Sequence, residues 1–441
     1  MRTLLGAVFL FWALCSNAWA GPATSQIGAP PPVGQPQYEL VSTEKPPLDK
    51  AAYRSMVGQM FLLGFDGDTL ASQGFQRVLS YVSEGRISGV IFFKRNITNR
   101  DELIRMTNAL RAAQPVGKPV LIAIDQEGGR VQRLTKTNAN VAPTDSAASL
   151  VQKGEGAARL QYERLAANLR DLGINFNLGP VVDLNINPAS PAIGLLGRSY
   201  SSDPELAVRF ARIFVEAHRQ HGILTSLKHF PGHGSSDQDS HKSFVDVSSS
   251  WRQIELQPFQ QMIDSGFADS VMVGHVHNST LDTSDPTSPA PATLSLNVIR
   301  DLLRDQMGFT KVVVSDDMDM AAITDFYLRY DALIKAIFAG NDLIIYSGDL
   351  SEDRLNGMTD KVLEFVIKQP GFAEIVEKAS NRVIRMKEGL TALTTQSVTR
   401  SIITGSVAKS RSKVVYETSK EFKTKLWRPP YRFALAREIQ R

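Results

Sequence analysis

Three features of the sequence predict an α/β chain closed into a (β/α)8 TIM barrel. Short, nearly continuous apolar and β-branched runs recur eight times between residues 61 and 346. Helical patterns separate them, as parallel strands covered on both faces require. Polar and charged residues gather where several runs end, which is where such a barrel does its chemistry. An open doubly wound sheet is the competing architecture, but no glycine-rich dinucleotide fingerprint follows the early runs.

The chain starts with a three-part export signal. Arg2 supplies the positive end, residues 4–14 the apolar middle, and Ala18-Trp19-Ala20 the small-x-small cleavage site. The apolar run is too short to span a bilayer comfortably. Residues 1–20 are therefore expected to be a signal peptide, and the mature protein to be periplasmic or secreted. Cleavage after Ala20 removes Cys15, the only cysteine, and with it any disulfide or thiol chemistry. Residues 21–49 read as an extended linker, because the stretch from Gly21 to Pro47 holds seven prolines and few large apolar residues.

The barrel is expected over residues 50–390. Its strands are predicted at 61–65, 88–93, 119–124, 175–178, 223–227, 271–276, 311–315 and 342–346. Between them, 204–220 carries Ala207, Phe210, Phe214 and Ala217 at helical spacing behind the start signal Asp203-Pro204. Residues 103–113, 157–172, 254–263 and 330–339 read the same way, and a helical pattern continues over 360–390. Residues 391–441 are polar and basic and read as an extension without a core. From Arg400 to Arg441 there are eleven Lys/Arg and three Glu, a net of +8, so the whole-chain +4 leaves about −4 for the rest. The barrel itself is mildly acidic and no nucleic-acid partner is expected. The tail suits an anionic envelope surface.

The chemistry concentrates in Lys228-His229-Phe230-Pro231-Gly232-His233-Gly234 and the Asp239-Ser240-His241 that follows. All seven histidines lie between His218 and His277. Histidine is the side chain that exchanges a proton near neutrality. On the barrel reading, the third strand runs out at Asp125, the fifth into Lys228-His229, the sixth carries His275, and the seventh ends in Ser315-Asp316-Asp317. Glycoside cleavage with retention needs a carboxylate nucleophile and an acid/base beside the leaving oxygen. Asp316 is the nucleophile candidate, His241 the acid/base, and Asp239 the group that orients it. Asp317 reads equally well as a helix cap. His229, His233, Asp237, Asp239 and His241 are dense enough for a divalent metal, but the Lys228 charge opposes one, and no metal or cofactor is expected.

The run Lys-His-Phe-Pro-Gly-His-Gly, four residues, then Asp-Ser-His resembles the signature of the β-N-acetylglucosaminidase branch of glycoside hydrolase family 3. So do Val57-Gly58-Gln59-Met60, the stretch from Asp125 through Gln126-Glu127-Gly128-Gly129-Arg130-Val131-Gln132 to Arg133, Gly197-Arg198-Ser199-Tyr200, Met272-Val273-Gly274-His275 and Ser315-Asp316-Asp317-Met318. The resemblance covers roughly residues 50 to 390. It implies that Asp316 rather than Asp317 is the nucleophile and that His241, assisted by Asp239, is the acid/base. It also implies that Asp125, Arg133, Arg198, Lys228 and His229 hold a terminal β-linked N-acetylglucosamine, and that no cofactor takes part. His233 then belongs to the turn, and Asp183 reads as structural. The second, sandwich domain of larger members is not expected. The export signal, proline linker and basic tail depart from the cytoplasmic members that carry this motif, which leaves the biological substrate open between peptidoglycan and related glycans. A phosphorylase, a family 3 β-glycosidase acting on another sugar, and a non-catalytic wall-glycan-binding protein are the alternatives.

Overall fold

The computed structural model describes residues 49–283 and 289–407, with residues 391–407 as helical backbone. The expected signal peptide, nearly all of the linker and most of the basic tail lie outside the described residues. Asp49 caps the first helix, Lys50–Gly58, where its carboxylate accepts the N–H groups of Ala51 (2.9 Å) and Ala52 (3.2 Å).

Eight strands follow: β1 (Phe61–Leu63), β2 (Gly89–Phe92), β3 (Leu121–Ile124), β4 (Phe176–Asn177), β5 (Leu224–Phe230), β6 (Ser270–Val273), β7 (Val312–Asp317) and β8 (Leu343–Tyr346). They pair in parallel and close in the order β1-β8-β7-β6-β5-β4-β3-β2. A helix follows each strand: Gln73–Ser83, Arg100–Ala113, Glu155–Asp171, Pro204–Gln220, Gln257–Asp264, the π-helix Asn297–Gln306, Arg329–Ala339 and Glu352–Lys368. The expected TIM barrel is the observed fold.

Every residue of β1, β2, β3 and β8 is buried, which explains why these runs are apolar throughout rather than alternating. One set of side chains, including Leu62, Ile91, Ala123, Phe176, Val314 and Ile345, fills the barrel. The other set faces the helices and includes Phe65, which meets Phe75 and Phe92 edge-on at 5.5 and 5.1 Å. Losing such a ring costs about 3–5 kcal/mol.

The predicted strand 271–276 divides in two. β6 stops at Val273, and Val276–His277 pairs instead with Val245–Asp246, in the segment just after His241. Gly274 lies between the two pairings, packed so closely that a Cβ there would lie 2.9 Å from the Cβ of His229. Val245, Val247 and Val276 form a small core of their own under Trp251.

The helical pattern expected over 360–390 is broken at Pro370, which begins a second helix, Pro370–Val407. The expected boundary at Leu390 falls inside this helix. Val383, Met386 and Leu390 pack into the barrel's inner cluster. Arg382 pairs with the buried Asp342 at 3.0 Å, and the Lys387 ammonium donates to Gln59 Oε1 at 2.7 Å. Gln59 precedes β1 and Asp342 precedes β8, so this helix closes the end of the barrel where the strands begin.

Candidate active site

At the opposite end, the residues that follow β3 and those at the end of β5 meet. Lys228 on β5 donates to Asp125 Oδ1 at 2.9 Å and lies 2.7 Å from Glu127 Oε1. Glu127 also receives both arms of Arg198, Nε on Oε2 at 2.9 Å and Nη2 on Oε1 at 2.8 Å. Arg133 donates to Asp125 Oδ2 at 3.2 Å. Buried charges persist only when paired, and these are. Burial alone would raise the Asp125 and Glu127 carboxyls, but Lys228 with Arg133, and Arg198 with Lys228, outweigh it and hold both below the usual range. Burial would likewise lower the Lys228 ammonium, yet Asp125 and Glu127 hold it above its ordinary value. The result is a fixed array of charged donors and acceptors, the kind of surface that orders a ring of hydroxyls.

His229 stands beside this array. Its Nδ1 lies 2.6 Å from Asp183 Oδ2, and its Nε2 lies 3.3 Å from Arg198 Nη2. A guanidinium only donates, so Nε2 accepts and the ring proton sits on Nδ1, facing Asp183. Asp183 is fully buried and also takes the backbone N–H groups of His229 (3.1 Å) and His233 (2.8 Å).

The His233 ring meets Ser236 Oγ at 2.8 Å through Nδ1 and Ser240 Oγ at 3.1 Å through Nε2. Burial pushes this imidazole down to about 4, so it is neutral at physiological pH. It serves the turn, as expected, by pinning two points of the loop that leads to His241. On the other side, Glu255 Oε2 accepts the Gly234 N–H at 3.1 Å, and burial pushes its carboxyl up to about 7. Gly232, at φ +118, admits Glu255: a Cβ there would lie 2.7 Å from the Cβ of Glu255.

Beyond this anchored turn, Asp239 Oδ1 accepts both the Nδ1–H of His241 (2.8 Å) and its backbone N–H (3.0 Å). That bond leaves Nε2 as the working nitrogen of an imidazole whose side chain is 63% exposed. Asp316, near the end of β7, accepts the Asp317 N–H at 2.8 Å. Burial would raise its carboxyl, but the facing imidazoles of His275, His229 and His241 outweigh that and hold it well below the usual carboxylate range. His275 Nε2 donates to the Asp317 carbonyl at 2.9 Å, and its Nδ1 meets Thr293 Oγ1 at 2.7 Å. Asp317 differs from its neighbour. It takes the N–H groups of Ser347 (2.9 Å) and Asp319 (3.0 Å), ties β7 to the loop after β8, and is pushed by burial up to about 6. One aspartate of the pair is thus an ionised group among histidines; the other caps no helix, since Met320 stands at the start of Ala321–Thr324, but ties two loops together.

The predicted residues Asp125, Arg133, Arg198, Lys228, His229, Asp239, His241 and Asp316 all lie on loops and strand ends at one face of the barrel. Two residues given no part by the sequence belong with them. Glu127 is the acid that joins Lys228 to Arg198, and its position inside the Asp125 to Arg133 stretch was the available signal. Asp183 orients His229, and only its place after an apolar run pointed to it. Among the described residues no three His, Cys, Asp or Glu side chains are grouped as a metal site.

A barrel with an ionised carboxylate, an oriented imidazole and an array of paired charges at its mouth has the make-up of a glycoside hydrolase. The chain belongs to glycosyl hydrolase family 3, whose N-terminal domain matches residues 54–386. A beta-hexosaminidase of Xanthomonas oryzae pv. oryzae (strain MAFF 311018) is 39% identical over 273 residues, 60% of this chain and 76% of that protein. Beta-hexosaminidase A of Pseudoalteromonas piscicida is 35% identical over 278 residues, 60% of this chain, and the match spans only 46% of its own length. Among solved structures, the family 3 beta-N-acetylglucosaminidase of Paenibacillus sp. str. FPU-7 superposes with a TM-score of 0.68 at 30% identity, covering 84% of this chain and 66% of the other. The beta-N-acetylhexosaminidase of Beutenbergia cavernae DSM 12333 does so at 0.67 and 30% identity, covering 76% and 98%.

Proposed function

We propose that the protein is a retaining exo-β-N-acetylhexosaminidase that releases terminal β-linked N-acetylglucosamine. One observation carries this reading: an ionised carboxylate, Asp316, and an exposed imidazole, His241, oriented by Asp239, lie at the same barrel mouth. Asp316 attacks the anomeric carbon while His241 Nε2–H protonates the departing oxygen. The neutral His241 then takes a proton from water, whose oxygen displaces Asp316 from the sugar. Asp239 stabilises the imidazolium that makes the first proton transfer and that the second regenerates. Asp125, Arg133, Arg198, Lys228 and His229 hold the sugar hydroxyls and N-acetyl group. The names of the relatives support the amino-sugar specificity.

The test is hydrolysis of a chromogenic β-N-acetylglucosaminide against the matching β-glucoside, with and without phosphate. A 5-fluoro sugar is expected to label Asp316, read by peptide mapping; a label on Asp317 overturns the assignment. Phosphorolysis is the second reading, favoured by the imidazole acid/base, since a neutral histidine repels an incoming phosphate less than a carboxylate in its place would. Formation of a sugar 1-phosphate in the same assay would establish it. The N-terminal signal supports a periplasmic or secreted enzyme acting on peptidoglycan or related amino-sugar glycans, with the basic tail against an anionic envelope surface. N-terminal sequencing of the mature protein, expected to start at Gly21, and salt-sensitive binding to anionic vesicles test these two points.

A further inference from the structure

The mouth bears an aromatic pair that the reaction above does not use. Phe244 lies three residues beyond His241 and leads into the Val245–Asp246 strand. Its ring meets that of Phe326, with centroids 5.4 Å apart and planes tilted by 59°. Phe326 lies ten residues after Asp316, just past the short helix Ala321–Thr324. It is a large apolar side chain, yet 57% exposed. Both rings stand on fixed supports. Phe244 also lies against the buried His277, centroids 5.8 Å apart, and the strand it leads into carries the small valine core on which Trp251 packs, its indole N–H on the Pro231 carbonyl at 3.0 Å. Beside Phe326, the Tyr327 hydroxyl donates to the Pro289 carbonyl at 3.2 Å. An apolar face kept rigid and open to water at the rim of a polar site calls for an occupant.

We propose that Phe244 and Phe326 form the wall of the aglycone subsite, and that they take the sugar ring bonded through the glycosidic oxygen. This rests on the glycosidase reading. That reading puts the leaving oxygen within hydrogen-bond reach of His241 Nε2, so whatever departs with it lies on the His241 side of the mouth. One ring comes from the loop that bears His241, and the other from the loop that follows the Asp316 strand. Their contact joins these two loops into one wall. The chemistry differs from that of the charged array. A pyranose whose hydroxyls point outward round its edge presents an apolar C–H face, and a phenylalanine ring covers such a face without demanding a hydrogen bond. The array around Lys228 suits the sugar whose bond is cut, and the aromatic pair suits the sugar that leaves.

The experiment compares two substrates with the same donor sugar. N,N′-diacetylchitobiose leaves a sugar ring behind, and β-N-acetylglucosaminyl fluoride leaves a single ion. In Phe326→Ala the ratio of kcat/KM for the disaccharide to that for the fluoride is expected to fall about three- to tenfold, the size of one aromatic contact. Phe326→Tyr keeps the ring and is expected to keep the wild-type ratio. A ratio in Phe326→Ala equal to the wild-type value overturns the proposal, whatever happens to the absolute rates. A wild-type enzyme that cleaves neither substrate overturns the hexosaminidase reading instead, and the subsite with it.

Discussion

Replacing Asp183 by asparagine tests whether the histidine beside the charged array is held by a carboxylate or merely packed. Three donors converge on Asp183: His229 Nδ1 at 2.6 Å, the His229 N–H at 3.1 Å and the His233 N–H at 2.8 Å. An amide oxygen can keep the two backbone donors, but its NH2 then faces His229 Nδ1. The imidazole can accept that hydrogen only by moving its own proton to Nε2. There it meets Arg198 Nη2 at 3.3 Å, donor against donor. Either way one buried donor goes unpaired, at a cost of about 2–4 kcal/mol. Asp183→Asn is therefore expected to melt several degrees lower and to lose about 10- to 100-fold in kcat/KM on an aryl β-N-acetylglucosaminide, most of it in KM, since His229 binds rather than reacts. The pH dependence has a definite sign. Burial would raise the Asp183 carboxyl, but His229 outweighs it and the folded value lies below the unfolded one. Its stabilisation is thus full above the unfolded carboxylate range and lost as pH falls through the folded value, a loss that Asp183→Asn should lack. Wild-type kcat/KM together with an unchanged melting temperature would refute the argument.

His241→Ala should lose on the order of 10²–10⁴-fold on substrates with poor leaving groups and much less on activated aryl glycosides, with Asp239→Asn intermediate; equal losses on both substrate types would remove His241 from the acid/base role. Burial pushes the Lys387 ammonium down to about 7, below the unfolded lysine value. The unfolded chain then holds the extra proton between about pH 7 and the ordinary lysine value, so stability should rise across that window by about 5 kcal/mol at most. Lys387→Met should flatten the rise, as read from urea midpoints against pH. Arg382→Ala leaves the buried Asp342 with Arg304 alone, which pairs with it at 2.6 Å; a loss of about 1–3 kcal/mol in unfolding free energy is expected, with kcat untouched.

The barrel was legible because all-buried parallel strands write themselves as apolar runs, and because the residues just after such runs stand at one opening. Asp125, Lys228 and Asp316 could be found that way. Asp183 could not. An aspartate after an apolar run looks the same whether it caps a helix or grips a histidine 46 residues later, and only the closed sheet brings the two together. Glu127 was hidden for a related reason, since its partners come from elsewhere in the chain, Arg198 from another loop and Lys228 from β5. The break within 271–276 was invisible because Val276 continues the apolar run of β6 while pairing outside the barrel. The continuation of the last helix beyond Leu390 was masked by polar composition, which reads as loop when no apolar stripe marks a buried face.

The final helix also gives the molecule a front and a back. Asp316 lies at one opening, while Val383, Met386 and Leu390 stopper the other. As far as Leu390, the last helix is thus the floor of the barrel. Shortening one of these side chains should therefore loosen the floor of the barrel while the loops of its mouth stay in place.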